Sequence, residues 1–140
     1  MKLIFLGPPG AGKGTMAKRL AAHAGLAHIS TGDLFREAIA KGTPLGMKVK
    51  SIIEKGDLVP DALTVQLVEE RIRQPDCAPG FILDGFPRTI PQAEALGRLT
   101  AADMTVNFEL SDEEVVKRLS GRRLCRSEER RVGKECRSRW

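Results

Sequence analysis

The sequence contains no tyrosine and a single tryptophan, and aromatic residues make up only 4% of its 140 residues. Because single-stranded nucleic acid is bound by stacking bases on aromatic side chains, this composition argues against such a platform. No apolar run approaches the roughly 18 residues that a membrane-spanning helix needs. The first residues carry a lysine but no small-residue cleavage site of a signal peptide. The sequence therefore predicts a cytoplasmic protein without a membrane partner.

Cysteine and histidine are also scarce, with three and two residues. An odd number of cysteines does not make a disulfide framework, so Cys77, Cys125 and Cys136 are predicted to be ordinary reduced thiols. His23 and His28 have no evident partner in the sequence, and we assign them no ligand or catalytic role.

Net charge gives no support for nucleic-acid binding, although its value is +5. Residues 122–140 hold eight of the 23 basic residues but three of the 18 acidic ones, which leaves 15 of each sign in residues 1–121. The basic charge is thus confined to the end of the chain. Since no binding motif accompanies it, we predict no nucleic-acid partner.

Four short apolar runs are typical of buried parallel strands. They are KLIFL (2–6), LAHIS (26–30), GFILD (80–84) and MTVNFEL (104–110). Segments with helical periodicity separate them, and Thr43, Thr89 and Ser111 stand at N-cap positions. This alternation predicts one doubly wound, parallel α/β sheet that binds ligands at its carboxyl edge.

The segment between the first strand and the first helix is GPPGAGKGT, which matches G-x-x-x-x-G-K at Gly7, Gly12 and Lys13. Glycines let backbone N–H groups converge on phosphate oxygens, and the following helix adds its positive N-terminal end. Gly14 stands where the usual motif has Ser or Thr, and the hydroxyl follows at Thr15. The loop predicts a nucleotide-binding protein.

Two acidic and two basic residues are placed to complete such a site. Asp84 ends the third strand, where a carboxylate facing the loop would hold Mg²⁺ through water. Arg88 follows in DGFPRT and is suited to bidentate binding of a phosphate. Asp33 and Arg36 lie one turn apart on a predicted helix and so share a face.

Five motifs, in this order and spacing, resemble those of bacterial adenylate kinases. They are GPPGAGKGT, HISTGDLFR, GDLVPD, FILDGFPRTIPQAE and VVKRLSGRR. The resemblance covers residues 1–125 as one core and includes the Lys-Gly-Thr form of the loop. It implies a P-loop NTPase-type fold and transfer of the terminal phosphoryl group of Mg-ATP to AMP, giving two ADP. A monomer is expected, in which residues 30–59 form a mobile AMP-binding segment.

The resemblance also implies roles for particular residues. The catalytic residues are Lys13, Asp84, Arg88 and Arg122. The ATP-binding residues are Gly10, Ala11, Gly12, Lys13, Gly14, Thr15, Arg118 and Arg122. The AMP-binding residues are Thr31, Arg36, Asp57, Leu58, Val59, Gly85, Phe86, Pro87, Arg88 and Gln92. Asp84 and Asp33 would organise hydrated Mg²⁺, Arg36 and Arg88 would bind the AMP phosphate, and Thr31 and Gln92 would face the adenine.

After Cys125 the sequence departs from the family. The lid, the fifth strand and the C-terminal helix of these kinases are missing, so four of five core strands are expected. Residues 126–140 resemble the translation of a sequencing-adapter oligonucleotide, and we interpret them as a non-native, disordered tail. Cys125 matches the first ligand of a zinc lid with C-x-x-C pairs, but Glu128 stands three residues later, so no zinc is predicted. A chain lacking the lid is expected to be weakly active or inactive.

Other functions remain open at the level of sequence. A kinase for UMP, CMP or GMP would share most of these motifs, although Thr31 and Gln92 favour adenine. A nucleotide-binding module without catalysis is the alternative from a different class. A nucleic-acid-binding function would depend on residues 126–140 alone.

Overall fold

The computed structural model describes residues 1–121, which form an α/β fold. Four parallel strands make one sheet, and six α-helices surround it within this range. The strands are β1 (Lys2–Leu6), β2 (Ala27–Ser30), β3 (Phe81–Asp84) and β4 (Met104–Asn107). The helices are α1 (Lys13–Ala24), α2 (Thr31–Lys41), α3 (Pro44–Glu54), α4 (Asp61–Ile72), α5 (Ile90–Leu99) and α6 (Asp112–Ser120).

The strand order across the sheet is β2-β3-β1-β4. All three pairings are parallel, and their register places Asp84 beside Phe5 of β1 and beside Ser30 of β2. The carboxyl ends of β1, β2 and β3 therefore meet at one edge of the sheet. The parallel, helix-flanked sheet predicted from the sequence is confirmed.

Both faces of the sheet are covered by apolar side chains. On one face, Ala17 and Ala21 of α1 pack against Leu3, Phe5 and Ile82. Small residues on α1 let this helix lie close to the sheet. On the other face α4 and α5 complete the larger core. Its buried residues are Ile4, Ile29, Leu34, Val68, Cys77, Phe81, Leu83, Phe86 and Leu96.

Strand β4 ends at Asn107, three residues before the predicted end. Its partner β1 ends at Leu6, which pairs with Asn107, and the chain then turns at Gly7 with φ 136°. A Cβ atom at Gly7 would lie 2.4 Å from the carbonyl oxygen of Phe108, so only glycine fits this close approach. The turn that begins the glycine-rich loop thus also ends the pairing with β4.

The predicted N-caps are confirmed by hydrogen bonds. The hydroxyl of Thr43 accepts from Gly46 N at 3.0 Å, and that of Thr89 accepts from Gln92 N at 3.3 Å. Ser111 accepts from Glu114 N at 3.3 Å, but the Glu114 carboxylate accepts a hydrogen bond from Arg118. The sequence SDEE (111–114) has the S-x-x-E spacing of a capping box, in which the Glu114 carboxylate would accept a hydrogen bond from the backbone N–H of Ser111. The bond with Arg118 instead directs this carboxylate along the helix.

Of the three cysteines, the structure describes only Cys77. Cys77 is a buried free thiol in a short 3₁₀ turn, as predicted. The predictions for Arg122, Cys125, Cys136 and residues 126–140 lie outside the described residues. No helix in the described part of the chain is long and apolar enough to cross a bilayer.

Candidate active site

A cavity of about 440 Å³ opens at the carboxyl edge of the sheet. Its wall comes from the glycine-rich loop between β1 and α1, the end of β2 and the turn after β3. The lining residues are Phe5, Leu6, Gly7, Pro9, Gly10, Gly12, Lys13, Gly14, Ser30, Asp84, Gly85, Pro87 and Arg88. Parallel strands with this connectivity place their ligand-binding crevice at this edge.

The glycine-rich loop leads directly into α1. Gly12, in the left-handed region at φ 90°, occupies the N-cap position, and no side chain caps the helix there. The first N–H groups of α1 are thus available to an anion, whose charge the helix N-terminus also favours. Thr15 is exposed in the first turn of the helix.

Lys13 extends back over the loop. Its Nζ donates hydrogen bonds to the carbonyl oxygens of Gly7 and Pro8, both at 2.8 Å. Burial lowers the pKa of Lys13 below its ordinary value of 10.5, Asp84 opposes that shift, and Arg88 adds to it. The ammonium is therefore partly desolvated and close to both other charged groups of the cavity.

Asp84 lies opposite the start of α1. A Cβ atom at Gly14 would be 3.2 Å from Asp84 Oδ2, so glycine at this position leaves room for the carboxylate. A serine or threonine there, as in the usual form of the loop motif, would crowd it. This contact gives a physical reason for the Lys-Gly-Thr sequence.

His28 contacts Asp84, and the expectation that it has no partner is wrong. The distance from His28 Nε2 to Asp84 Oδ2 is 3.2 Å, and both side chains are mostly buried. Parallel pairing of β2 with β3 sets Ser30 opposite Asp84 and His28 two residues earlier on the same face. The alternation of side chains along a strand predicts that His28 and Ser30 share a face of the sheet. The pairing of β2 with β3, which brings that face to Asp84, cannot be read from the sequence.

The turn after β3 holds Arg88 at the cavity. The guanidinium Nε donates to the carbonyl oxygen of Gly85 at 2.7 Å, while the side chain remains exposed. A cis peptide bond joins Phe86 to Pro87 in this turn. The buried hydroxyl of Thr31 lies 3.5 Å from the same Gly85 oxygen. Thr31 and Arg88 thus meet at one carbonyl group.

Asp33 and Arg36 form an ion pair with each other on α2. Both side chains are at least half exposed, and neither residue lines the cavity. The helical face predicted for this pair is present. The structure does not, however, place Asp33 in the cavity with Asp84.

Gln92 is buried at the start of α5. Its Oε1 accepts from the backbone N–H of Arg88 at 2.8 Å, and its Nε2 donates to Asp61 Oδ1 at 2.8 Å. Asp61 follows Pro60 at the start of α4, a position whose local sequence indicates only that a helix begins there. The hydrogen bond between Gln92 and Asp61 joins residues 31 positions apart, and no pattern in the sequence predicts it.

The remaining predicted residues fall into two groups. Asp57, Leu58 and Val59 connect α3 to α4; Leu58 is 94% exposed, and Val59 packs against the core of α2, α3 and α4. Arg118 of α6 donates to the carbonyl oxygen of Gly10 at 3.1 Å, which brings α6 to the glycine-rich loop. Arg118 therefore joins the loop, whereas residues 57–59 do not line the cavity.

Asp84 is the carboxylate of the cavity that fits a divalent cation. Within residues 1–121 no group of three or more His, Cys, Asp or Glu side chains is arranged to hold a metal ion. A single carboxylate beside a glycine-rich loop suits Mg²⁺, which keeps several waters and takes few protein ligands. It does not suit a metal that requires a full set of protein ligands.

Comparisons with known proteins identify the family. The adenylate kinase family model matches residues 5–137, and so extends past Cys125, where the resemblance by motifs ends. The chain is 56% identical over 131 residues to an adenylate kinase of Carboxydothermus hydrogenoformans and 56% identical over 132 residues to one of Archaeoglobus fulgidus. It is 58% identical over 127 residues to one of Treponema denticola. These alignments cover 90%, 91% and 91% of this chain but 61% of each relative.

Proposed function

The chain belongs to the adenylate kinase family, and from this premise we propose that it forms part of a nucleotide kinase that transfers the terminal phosphoryl group of Mg-ATP to AMP. The products are two ADP. The chain spans about three fifths of the length of its curated relatives. ATP, AMP and ADP are the proposed partners, a monomer the proposed state, and the cytoplasm the proposed location.

One observation carries this proposal: three charged residues from two of the sequence motifs lie at a single cavity. The glycine-rich loop contributes Lys13, the end of β3 contributes Asp84, and the following turn contributes Arg88. Two cations and a carboxylate beside a helix N-terminus suit two phosphate-bearing substrates and a divalent cation. Phosphoryl transfer requires mainly this positioning and charge, and needs neither a histidine base nor a cysteine nucleophile.

The ATP phosphates are proposed to lie on the loop residues Gly10 to Thr15. Backbone N–H groups at the start of α1 would donate to their oxygens, and the Lys13 ammonium would exchange its two carbonyl partners for phosphate oxygens. Arg118, already bonded to Gly10, would contact the same nucleotide together with Arg122. These cations counter the charge that develops on the migrating phosphoryl group.

The AMP phosphate is proposed to lie between Arg88 and Arg36. Arg36 must then leave Asp33, which is consistent with a mobile segment of residues 30–59 that rearranges when AMP binds. Thr31 and Gln92 would face the base, and the connection at residues 57–59 would close over it. Gly85, Phe86 and Pro87 would complete this side of the site.

Mg²⁺ would be held by Asp84 through water, and when bound it neutralises charge on the phosphate oxygens and fixes their orientation. His28 fixes the Asp84 carboxylate from the side of β2. Lys13 stays near Asp84 and supplies positive charge to the transferred group. Asp33 is the proposed second carboxylate near the hydrated ion, and it would have to leave its ion pair with Arg36 to reach that position.

The test is ADP formation from ATP with AMP, UMP, CMP or GMP, followed by chromatography of the nucleotides. AMP is expected to be the preferred acceptor. A polypeptide of these 140 residues alone is expected to turn over at least about 100-fold more slowly than the Carboxydothermus relative, because it supplies fewer groups to exclude water and position phosphates. Preference for another monophosphate would contradict the proposed substrate, and equal turnover would contradict the proposed weak activity.

Asp84→Asn is expected to remove the effect of Mg²⁺ on ATP binding. Because the amide is neutral and a poor ligand for a hard cation, ATP affinity measured by calorimetry should change less than about twofold when Mg²⁺ is added. Asp112→Asn, at the exposed start of α6, is the control and should retain the magnesium effect. Retention of that effect in Asp84→Asn would remove Asp84 from the metal site.

Arg88→Lys is expected to weaken AMP binding about tenfold, because lysine keeps the charge but loses the bidentate geometry of guanidinium on a phosphate. ATP affinity should stay within about twofold, since the lysine-bearing loop is unchanged. Arg98→Lys, on α5, is the control. Equal weakening of AMP and ATP binding by Arg88→Lys would show that Arg88 does not select the AMP phosphate.

A further inference from the structure

The side-chain amide of Gln92 is bonded at both ends by groups from two different elements. Its Oε1 accepts from Arg88 N, and its Nε2 donates to Asp61 Oδ1, each at 2.8 Å. The second oxygen of Asp61, Oδ2, accepts from the hydroxyl of Thr89 at 3.2 Å. Gln92 is 6% exposed, so these contacts are largely shielded from water.

Each partner of the Gln92 amide can only donate or only accept a hydrogen bond. An ionised carboxylate only accepts hydrogen bonds, and a backbone N–H only donates. If Gln92 were turned over, its oxygen would face Asp61 and its NH₂ group would face the N–H of Arg88. Two favourable contacts would then become two repulsive ones, so the network fixes which end is donor and which is acceptor.

Each end of the fixed amide retains unused capacity. Nε2 has a second hydrogen, and Oε1 has a second lone pair. A base read by this pair must offer an acceptor to Nε2 and a donor to Oε1. Adenine offers N1 as acceptor and its 6-amino group as donor, whereas guanine offers N1–H as donor and O6 as acceptor, which is the reverse arrangement.

We propose that Asp61 is a specificity-determining residue that holds Gln92 in the sense complementary to adenine and opposed to guanine. This inference rests on the proposed function, in which Gln92 faces the acceptor base. Arg88 links the two ends of the acceptor: its guanidinium is the proposed phosphate ligand, and its backbone N–H holds Gln92. A nucleotide anchored by its phosphate cannot turn its base over to match a fixed amide.

The network also joins the start of α4 to the start of α5, so Asp61 could have a purely structural role. The structural role and the specificity role predict different results when Asp61 is replaced. Loss of a structural contact would lower stability and weaken all ligands alike. If the orientation of the Gln92 side-chain amide were no longer fixed, the ratio of AMP to GMP affinity would change. This ratio is therefore the readout that separates the two roles.

The experiment measures AMP and GMP binding by calorimetry for the 140-residue chain and for Asp61→Asn. The two side chains are isosteric, but asparagine can donate as well as accept and so tolerates either sense of Gln92. Because one hydrogen bond to a charged group then no longer opposes the turned amide, the preference for AMP should fall about tenfold. Asp76→Asn is the control, since Asp76 also accepts side-chain hydrogen bonds outside the cavity, two from Arg71 and one from Cys77.

A second measurement needs no variant that must fold. In ¹⁵N-resolved spectra of the unmodified chain, the Nε2 protons of Gln92 should exchange with water more slowly than those of the exposed Gln74, because Asp61 accepts a hydrogen bond from Gln92 Nε2. An exchange rate equal to that of Gln74 would overturn the proposal.

The outcomes separate this inference from the proposed function. If the chain binds AMP and Asp61→Asn keeps the AMP-to-GMP ratio within twofold, the role of Asp61 is overturned while the kinase proposal stands. If the unmodified chain binds neither nucleotide, or prefers GMP, the proposed acceptor site fails and the role of Asp61 fails with it. A tenfold loss of preference in Asp61→Asn but not in Asp76→Asn supports the proposal.

Discussion

Replacing Lys13 with methionine is expected to reduce ATP affinity roughly 100-fold, because each charge-assisted hydrogen bond to a phosphate oxygen contributes about 1.5–3 kcal/mol. Methionine keeps the length of the side chain and removes the ammonium. In the structure that ammonium is held over the loop by Gly7 and Pro8, so it is already placed where phosphates would enter. Calorimetric titration with ATP in the presence of Mg²⁺ measures the effect.

Lys18→Met is the matched control for this substitution. Lys18 lies on the exposed side of the same helix, α1, outside the cavity. The substitution Lys18→Met removes the same charge from the chain without removing a proposed phosphate ligand, so ATP affinity should change less than about threefold. If both variants weakened ATP binding equally, Lys13 would contribute only to the general field of the protein.

The pH dependence of ATP binding provides a further check on Lys13. Only the protonated amine attracts phosphate, and burial lowers the pKa of Lys13 from its ordinary value. Binding should therefore decline on the alkaline side at a lower pH than an unperturbed lysine would give. The Lys13→Met variant should lack this component of the decline.

Gly46→Ala is expected to destabilise the fold by about 3 kcal/mol, because overpacking at a rigid contact costs typically 1–3 kcal/mol and here the obstacle is backbone. A Cβ atom at Gly46 would lie 2.0 Å from the carbonyl oxygen of Ala38. Helices α2 and α3 cross at this point, and Val49 is fully buried beside it. Urea denaturation followed by circular dichroism measures the change.

Gly97→Ala provides the opposite control. Gly97 also lies within a helix, α5, but a Cβ atom there would meet nothing within 4 Å. Alanine should stabilise the chain by roughly 0.5–1 kcal/mol through helix propensity. Similar effects of the two substitutions would show that the close crossing of α2 and α3 is not rigid.

Local features of the fold could be predicted from the sequence because their causes are local. The apolar run KLIFL (2–6) predicts β1 with the bounds that the structure gives, and the glycine-rich loop after it leads into α1. Thr43 and Thr89 cap the helices that follow them for the same reason. The early end of β4 was not predicted, since it depends on where β1 turns away at Gly7.

The candidate site could be predicted only in part. Lys13, Asp84 and Arg88 were identified because each belongs to a recognisable motif, and they line one cavity. The contact of His28 with Asp84 and that of Asp61 with Gln92 were not predicted. Both join residues that are 56 and 31 positions apart, and they depend on strand order and helix packing that no local pattern encodes.

In the proposed function, one sheet edge binds two different nucleotides through separate sets of residues. The most direct measurement is a pair of ¹H–¹⁵N titrations of the 140-residue chain, one with Mg-ATP and one with AMP. ATP is expected to shift mainly the amides of residues 10–15, and AMP those of residues 85–92. Shifts of the same amides by both nucleotides, or none in either segment, would contradict the two-nucleotide site.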